Sequence, residues 1–175
     1  MPRTLRRAGL RVRGDFGLNV FNGQALKTLG EMGLSSATAS FELNLAQIRD
    51  MSKEIDLELI AYGRLPLMLT ENCVLSSGKD RHICQGDTPP LLTDRTGAAF
   101  PVFKEPGCRN VVLNSRKLFL ADRAEDYMDI GLWGVRLCFT TENPQECREV
   151  LERYLCLGSY EPGNFTRGLY YRGVE

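Results

Sequence analysis

Apolar residues recur along this chain with two periods, and the two periods alternate. Helical spacing predicts a helix over residues 24–33, a short helix over 45–51 and another over 122–130. Apolar runs predict strands over 10–21, 35–43, 57–69 and 134–141. The run at 57–69 is nearly continuous in apolar residues, as expected of a strand that is buried on both faces.

A further helix is predicted from its start signal. Asn143 stands where an N-cap is expected, Pro144 takes the first helical position and Glu146 the third, which together resemble a capping box. Apolar residues then follow at helical spacing, at Cys147, Val150, Leu151, Tyr154 and Leu155. Cys147 lies on this apolar stripe and is interpreted as a core residue, because free cysteine is among the most buried residue types.

Strands that alternate with helices imply parallel strands joined by right-handed crossovers. About four β/α units are predicted, whereas a complete eightfold barrel needs about 250 residues. The expected fold is therefore α/β: the C-terminal half of a (β/α)8 TIM-like barrel, one domain over 1–175 that is truncated at its N-terminus. A half-barrel exposes an unpaired strand edge, so a missing N-terminal barrel half or a partner chain is expected to be needed.

Two segments depart from the alternation. Residues 70–120 are predicted to form an inserted, cysteine-rich excursion that contains a β-hairpin, whose turn is DRTG at 94–97. Residues 157–175 are rich in glycine, tyrosine and arginine, and are interpreted as an ordered lid or a binding edge.

Composition limits the partners and the compartment. The formal net charge is zero, so no global field attracts nucleic acid or an anionic membrane, although local basic patches remain open. No apolar run approaches the roughly 20 residues that span a bilayer. The basic N-terminus lacks the apolar segment of a secretory signal, which makes the cytoplasm the expected compartment. Cysteines there stay reduced and serve as core residues or ligands.

Three of the six cysteines lie in the inserted segment with the only histidine. Cys73, Cys84 and Cys108 follow the spacing C-x10-C-x23-C, and His82 stands two residues before Cys84. Structural zinc sites usually contain a closer cysteine pair, and iron–sulfur clusters usually take four cysteines. Zinc on these four residues, a cluster with one ligand that is not cysteine, and three unrelated loop thiols all remain open. Cys138 and Cys156 are interpreted as structural.

Polar residues at predicted strand ends are the other candidates. Asp15 and Glu42 follow strands, where barrel chemistry is placed, although acids at such positions also cap helices. Arg64 and Arg95 can clamp a carboxylate or phosphate through their fork of donors, and Arg95 is equally well explained as an exposed turn residue. Arg167 belongs to the tail that could cover an anionic ligand or stack on bases. The predicted catalytic residues are Asp15, Glu42 and Arg64, and the predicted substrate contacts are Asn19, Tyr62, Arg95, Asn114 and Arg167.

Residues 58–76, ELIAYGRLPLMLTENCVLS, resemble the signature of the collagenase-like peptidases, peptidase family U32. The positions that agree with the signature are Glu58, Gly63, Leu65, Cys73, Leu75 and Ser76. The positions that depart from it are Ile60, Arg64, Pro66 and Glu71. Stretches at 40–49, 94–102, 108–115 and 165–174 also resemble the family, so the resemblance covers nearly the whole chain from about Gly14 and implies the C-terminal half of the catalytic domain.

The resemblance implies two kinds of activity. Members are commonly labelled peptidases or collagenases, while other relatives resemble oxygen-independent hydroxylation factors that act on transfer RNA, ribosomal RNA or a quinone ring. Those relatives carry an iron–sulfur cluster on four cysteines, and prephenate is implicated as the hydroxyl source for some. By this resemblance Cys73 matches the second signature cysteine, Cys84 and Cys108 match later ones, and Pro66 replaces the first. The implied cluster then has three cysteines and either an open iron or His82.

These considerations predict an iron–sulfur-dependent RNA modification factor, acting by hydroxylation. Asp15, Glu42 and Arg64 are expected to line the barrel mouth and hold a small acid or a base. One alternative is a metal-dependent peptidase with Glu42 or Glu71 as general base. The other is a non-enzymatic, zinc-stabilised half-domain that pairs with a partner chain. No Ser/His/Asp order, C-x-H dyad or H-E-x-x-H motif supports a protease independently.

Overall fold

The computed structural model describes residues 8–75, 89–107 and 109–172. These residues form two compact units. The first contains the described residues up to Tyr62, Phe119–Cys138 and those from Arg167 onwards. The second contains the described residues of Gly63–Leu118 and Phe139–Thr166. Both parallel and antiparallel strand pairs are present, so the chain is a mixed α/β protein, and the half-barrel stays a prediction.

Parallel strands organise the first unit. The order along the chain is β1 (Arg13–Gly14), a 3-10 helix (Phe16–Leu18), α1 (Gly23–Met32), β2 (Ser36–Thr38), α2 (Leu45–Asp50) and β3 (Asp56–Gly63). β1 pairs with β2 and β2 pairs with β3, both in parallel. A 3-10 helix (Ala121–Arg123), α3 (Glu125–Met128) and β9 (Gly134–Cys138) follow later in the chain, and β9 pairs with β3. Seven of the eight residues of β3 are buried, which makes this strand the centre of the unit's core.

Local signals decide the two helices of this unit, and both predictions are confirmed. The side chain of Asn22 accepts a hydrogen bond from the Ala25 N–H at the start of α1, and Gly33 ends that helix at φ +102°. Asn44 and Gln47 form a complete capping box at the start of α2. Lys53, which follows α2, donates from Nζ to carbonyl oxygens of that helix and its end, including that of Ile48 at 2.8 Å.

Two strand predictions in this part of the chain are wrong in extent. The predicted strand over 10–21 is reduced to β1, because the Asp15 side chain accepts from the Phe16 N–H and opens a 3-10 helix there. The predicted strand over 57–69 is two strands. Gly63, at φ +123°, ends β3, and β4 (Pro66–Thr70) joins a different sheet. Three consecutive apolar side chains of β4 are more than half exposed, so this strand is not buried as predicted.

An antiparallel sheet dominates the second unit. Its strands are β4, β5 (Leu91–Thr93), β6 (Ala99–Glu105) and β7 (Arg109–Leu113), in the spatial order β4-β7-β6-β5. The predicted DRTG hairpin is confirmed: Asp94 accepts hydrogen bonds from Thr96 and from the Ala98 N–H, and Gly97 has φ +83°. β8 (Lys117–Phe119) and β10 (Phe165–Thr166) pair in parallel through Lys117 and Leu118.

The later part of the chain confirms one helix prediction and corrects the extent of another. α4 (Pro144–Tyr154) begins with the predicted capping box between Asn143 and Glu146. The helix predicted over 122–130 is shorter, because the chain there forms the 3-10 helix and the four-residue α3, and Gly131 follows at φ +78°. The sequence of residues 5–10 also predicts the end of a helix, stopped by Gly9, and the first part of this segment lies outside the described residues, which start at 8.

Candidate functional site

A buried carboxylate marks the centre of the first unit. Glu58 lies in β3 between Leu57 and Leu59, and its side chain is only 6% exposed. A charged group is rarely buried unless it is paired, because burial removes its hydration. The partner is Arg136 of β9, which donates from Nε at 3.1 Å and from Nη2 at 2.7 Å to Glu58 Oε2.

The strand register brings further donors to the same carboxylate. Thr38 is the register partner of Glu58, and Arg13 is the register partner of Ser36. Thr38 Oγ1 donates to Glu58 Oε2 at 3.3 Å, Ser36 Oγ donates to Oε1 at 3.4 Å, and Arg13 Nη1 lies 3.5 Å from Oε1. Glu58 is therefore surrounded by two cations and two hydroxyl groups.

Arg136 also reaches the end of β1. Its Nη1 lies 3.3 Å from Oδ1 of Asp15, whose side chain is 61% exposed. Burial lowers the pKa of Arg136, but the hydrogen bonds and charge of Glu58 outweigh it and hold that pKa above its ordinary value. Arg136 thus joins a buried carboxylate to an exposed one as a permanent cation.

Two neighbours define the surroundings of this cluster. Arg13 lies over the ring of Trp133, with its Cζ 4.1 Å from the ring centroid, which is a cation–π contact. Cys138 follows Arg136 by two residues on β9, and burial raises the pKa of its thiol. Because the thiolate is the nucleophilic form, this cysteine is not activated for covalent chemistry. The exposed group of the cluster is the Asp15 carboxylate, which can accept a hydrogen bond from a ligand, since the guanidinium nitrogens of Arg136 already contact Glu58 and Asp15.

Three of the sequence-predicted residues lie in the loops of the first unit. Asp15 joins the cluster, and Glu42 lies exposed in the loop after β2. The two loops are adjacent, because the ring centroids of Phe16 and Phe41 are 5.9 Å apart. Phe16 follows Asp15 in the sequence, and Phe41 precedes Glu42. Asn19 ends the first loop in the left-handed conformation, at φ +50°.

Tyr62 and Arg167 also belong to this unit. Tyr62 is fully buried in the core. Arg167 forms a fork on the carboxylate of Asp122 and also donates to the carbonyl oxygen of Phe119. Tyr170 anchors the same tail, because its hydroxyl donates to the carbonyl oxygen of Ile60 at 2.8 Å in the buried interior.

The remaining described candidates lie in the second unit. Arg64 donates from Nη1 to the carbonyl oxygens of Asn114, at 2.9 Å, and Ser115, and from Nε to Thr141 Oγ1 at 3.3 Å. Arg64 and Asn114 are therefore brought together, and Arg64 is engaged by the protein's own carbonyl groups. Arg95 lies exposed in the hairpin turn, as its alternative interpretation expected. The predicted roles of all these residues stay predictions.

The predicted metal ligands are described only at Cys73. Cys73 is half-buried in the loop after β4, while His82, Cys84 and Cys108 lie outside the described residues. Within the part of the chain that the structure describes, no group of three or more histidine, cysteine and acidic side chains is arranged to hold a metal. Because three of the four proposed ligands are outside that part, the metal site stays a prediction.

The sheet register nevertheless brings two of the relevant chain segments together. Thr70, at the end of β4, pairs with Asn110 at the start of β7. Asn110 is fully buried, and its Oδ1 accepts a hydrogen bond from the Val74 N–H at 2.8 Å. The chain that leads from β4 to Cys73 therefore leaves the sheet at the end where β7 begins. β7 starts at Arg109, which directly follows position 108 in the sequence.

Sequence reasoning missed three residues of these sites: Glu58, Arg136 and Asn110. The signal for Glu58 was a single carboxylate in an otherwise apolar strand, which predicts a buried ion pair. Arg136 in the strand GVRLC is the matching signal, but sequence spacing does not say which cation meets which anion. The signal for Asn110 was a single amide next to the apolar residues of β7, at a position where a buried polar side chain needs a partner.

The comparisons with known proteins give one match. Residues 4–86 match the family model described as peptidase family U32. This segment contains Glu58, Cys73, His82 and Cys84, and it ends before Cys108. No curated protein and no solved structure matches the chain. Each helix in the described ranges is too short or too polar to traverse a lipid bilayer.

Proposed function

Because the chain belongs to peptidase family U32, on the match over residues 4–86, we propose that it is an enzyme domain with a cysteine-ligated iron–sulfur cluster that acts in RNA modification by hydroxylation. Cys73, Cys84 and Cys108 are the proposed thiolate ligands, and His82 is the proposed fourth. Such a cluster supplies one-electron chemistry when it is bound.

One observation carries the proposal. The pairing of Thr70 with Asn110 places the segment that leads to Cys73 beside the start of β7, which follows Cys108 directly in the sequence. The chain that leads to Cys73 thus leaves the sheet at the end where β7 begins, which is what a ligand set of Cys73 and Cys108 would require. Thiolate sulfur also suits an iron–sulfur cluster better than a hard oxygen-binding cation.

The first unit supports binding of a substrate that donates hydrogen bonds. Asp15, Glu42 and Arg136 lie on or beside the two adjacent loops that follow β1 and β2. Arg136 keeps its charge at every physiological pH, because a guanidinium stays protonated in that range, and the hydrogen bonds and charge of Glu58 raise its pKa further. We assign to these residues the role of orienting a small acid or a base that serves as substrate.

The family's name supports a second candidate, a peptidase. A hydrolytic mechanism by a cysteine nucleophile needs an adjacent base. The one such thiol in the candidate cluster, Cys138, has a pKa raised by burial, and the only histidine is His82. A peptidase would therefore use a metal-bound water, with Glu42 or Glu71 as the general base.

Metal analysis of anaerobically purified protein tests the proposal. Iron and acid-labile sulfide in similar amounts are expected, with a brown colour. Cys73→Ser is expected to lose most of both. Cys147→Ser is the matched control, because Cys147 is also half-buried but lies in α4, and it is expected to retain them.

The substrate is tested separately. Nucleoside mass spectrometry of RNA from cells that express the wild type, but not Cys73→Ser, is expected to show a nucleoside with one added oxygen. Zinc in place of iron and sulfide would refute the cluster and favour the zinc-stabilised half-domain. Release of peptides from gelatin, abolished in Glu42→Gln or Glu71→Gln, would favour the peptidase.

A further inference from the structure

Asn110 is a buried side chain with one half of its carboxamide unused. The residue has no exposed surface, and its Oδ1 accepts from the Val74 N–H at 2.8 Å. Its Nδ2 finds no acceptor among the described residues. Buried donors in native proteins are nearly always paired, so an orphaned one calls for a partner.

The hydrogen bond that Oδ1 accepts places this side chain at the turn that carries Cys73. The Oδ1 atom holds the Val74 nitrogen, which is bonded to the carbonyl carbon of Cys73. Nδ2 shares its carbon atom with Oδ1, so the free N–H groups of Asn110 lie beside the turn that carries the Cys73 thiol. Cys73 is half-buried in that turn, and its sulfur does not accept from Nδ2 in this structure, so a hydrogen bond between them would form when the thiolate binds a metal.

We propose that Asn110 is a positioning residue for a metal-bound Cys73: Oδ1 fixes the chain at Val74, and Nδ2 donates a hydrogen bond to the Cys73 thiolate. This inference rests on the proposed function, which makes Cys73 a ligand. Hydrogen bonds to ligand atoms orient them and tune the metal, and their loss typically lowers metal affinity about 10–100-fold. For an iron–sulfur cluster, N–H donors to sulfur also raise the reduction potential.

Two substitutions separate the donor from the anchor. Asn110→Asp keeps an oxygen for the Val74 N–H, loses the N–H donor and adds a charge. Asn110→Leu is neutral and loses both the anchor and the donor. Loss of the donor is the only change that the two variants share. Asn22→Asp is the matched control, since Asn22 Oδ1 likewise accepts a backbone N–H, from Ala25 at 2.9 Å, in the other unit.

The experiment measures the rate at which the metal passes to a chelator and, where iron is present, the midpoint potential. Both Asn110 variants are expected to release metal about 10-fold faster or more and to have a more negative potential, whereas Asn22→Asp behaves as the wild type. Circular dichroism of the metal-free proteins checks that each variant folds.

The outcomes distinguish this inference from the proposal on which it rests. If the wild type holds no metal, both fail. If it holds zinc, the cluster is refuted, and chelator release still tests Asn110. If the wild type holds a metal and Asn110→Asp and Asn110→Leu release it at the wild-type rate, or only the charged variant differs, the hydrogen bond from Nδ2 is refuted while the metal centre stands.

Discussion

Replacing Arg136 with methionine is predicted to destabilise the first unit strongly. The change removes both hydrogen bonds at 3.1 and 2.7 Å to Glu58 Oε2 and leaves a carboxylate whose side chain is only 6% exposed. Removing one partner of a buried ion pair costs about 3–5 kcal/mol, because the other charge stays buried without compensation.

Two features of the structure make the expected loss of stability smaller than this. Arg136 itself is 30% exposed, so part of its attraction to Glu58 is already screened by water. Arg13 would also remain near the carboxylate, at 3.5 Å from Oε1. We therefore expect Arg136→Met to lower the free energy of unfolding by about 2–4 kcal/mol. For a chain of this length that corresponds to roughly 4–16 °C in melting temperature.

A double-mutant cycle isolates the pair. Glu58→Gln alone keeps an acceptor for Arg136 and is expected to cost less. The double variant removes the unpaired charge and should be about 1–2 kcal/mol more stable than Arg136→Met. Arg49→Met is the matched control, because Arg49 and Asp50 also pair at 2.8 Å but are 59% and 67% exposed. It should leave the urea midpoint nearly unchanged, because ion pairs between solvent-exposed side chains contribute little to stability.

The assay is urea unfolding followed by tryptophan fluorescence. Trp133 is the only tryptophan of the chain, and it lies in the first unit, where it stacks with Arg13 and donates its backbone N–H to the carbonyl oxygen of Leu57. The signal therefore reports on the unit that carries the change. The role assigned to the pair would be refuted if Arg136→Met were as stable as Arg49→Met. It would also be refuted if the change in unfolding free energy of the double variant equalled the sum of the two single changes.

Three further predictions concern single interactions. Tyr170→Phe should cost about 1 kcal/mol, measured by urea unfolding, because it leaves the buried carbonyl oxygen of Ile60 without its donor; an unchanged midpoint would contradict this. Burial raises the pKa of Glu142, but loop backbone N–H groups and Lys117 outweigh it, and the pKa is lowered. A lowered carboxyl pKa contributes stability that is present above the unfolded pKa and is lost as pH falls through the folded one. Unfolding curves between pH 6 and about pH 3 should thus show a loss that Glu142→Gln lacks, and identical pH profiles would exclude this contribution. Asn143→Ala should lower stability by about 1 kcal/mol through loss of the α4 cap, and Asn143→Asp should restore it, as followed by circular dichroism.

Elements that depend on neighbours in the sequence were predicted well. The cap of α4 and the DRTG turn each form within a few residues, and the structure confirms both. The run at 57–69 was predicted as one strand because apolar periodicity does not reveal which sheet a residue joins. Gly63, at φ +123°, ends the parallel strand, and the chain after it pairs with β7 instead.

The candidate site was predictable only in part. Asp15 was expected at a strand end, and it lies there, but its contact with Arg136 was not foreseen. Glu58 was seen as part of a family signature and not as a buried charge. The proposed ligand Cys73 came from the sequence, whereas Asn110, which holds the adjacent residue, appeared only once β4 and β7 were paired.

The amino-acid sequence by itself determined the match of residues 4–86 to the peptidase U32 model, the positions of the helices and the hairpin turn, since each of these depends on contiguous residues. Only the tertiary structure decided which charges meet. Glu58 and Arg136 are 78 residues apart, and nothing in the intervening chain selects that pair. Parallel pairing of β1, β2 and β3 buries the carboxylate, and β9 then supplies the arginine, because a buried charge is stable only where the fold brings its counterion within hydrogen-bond distance.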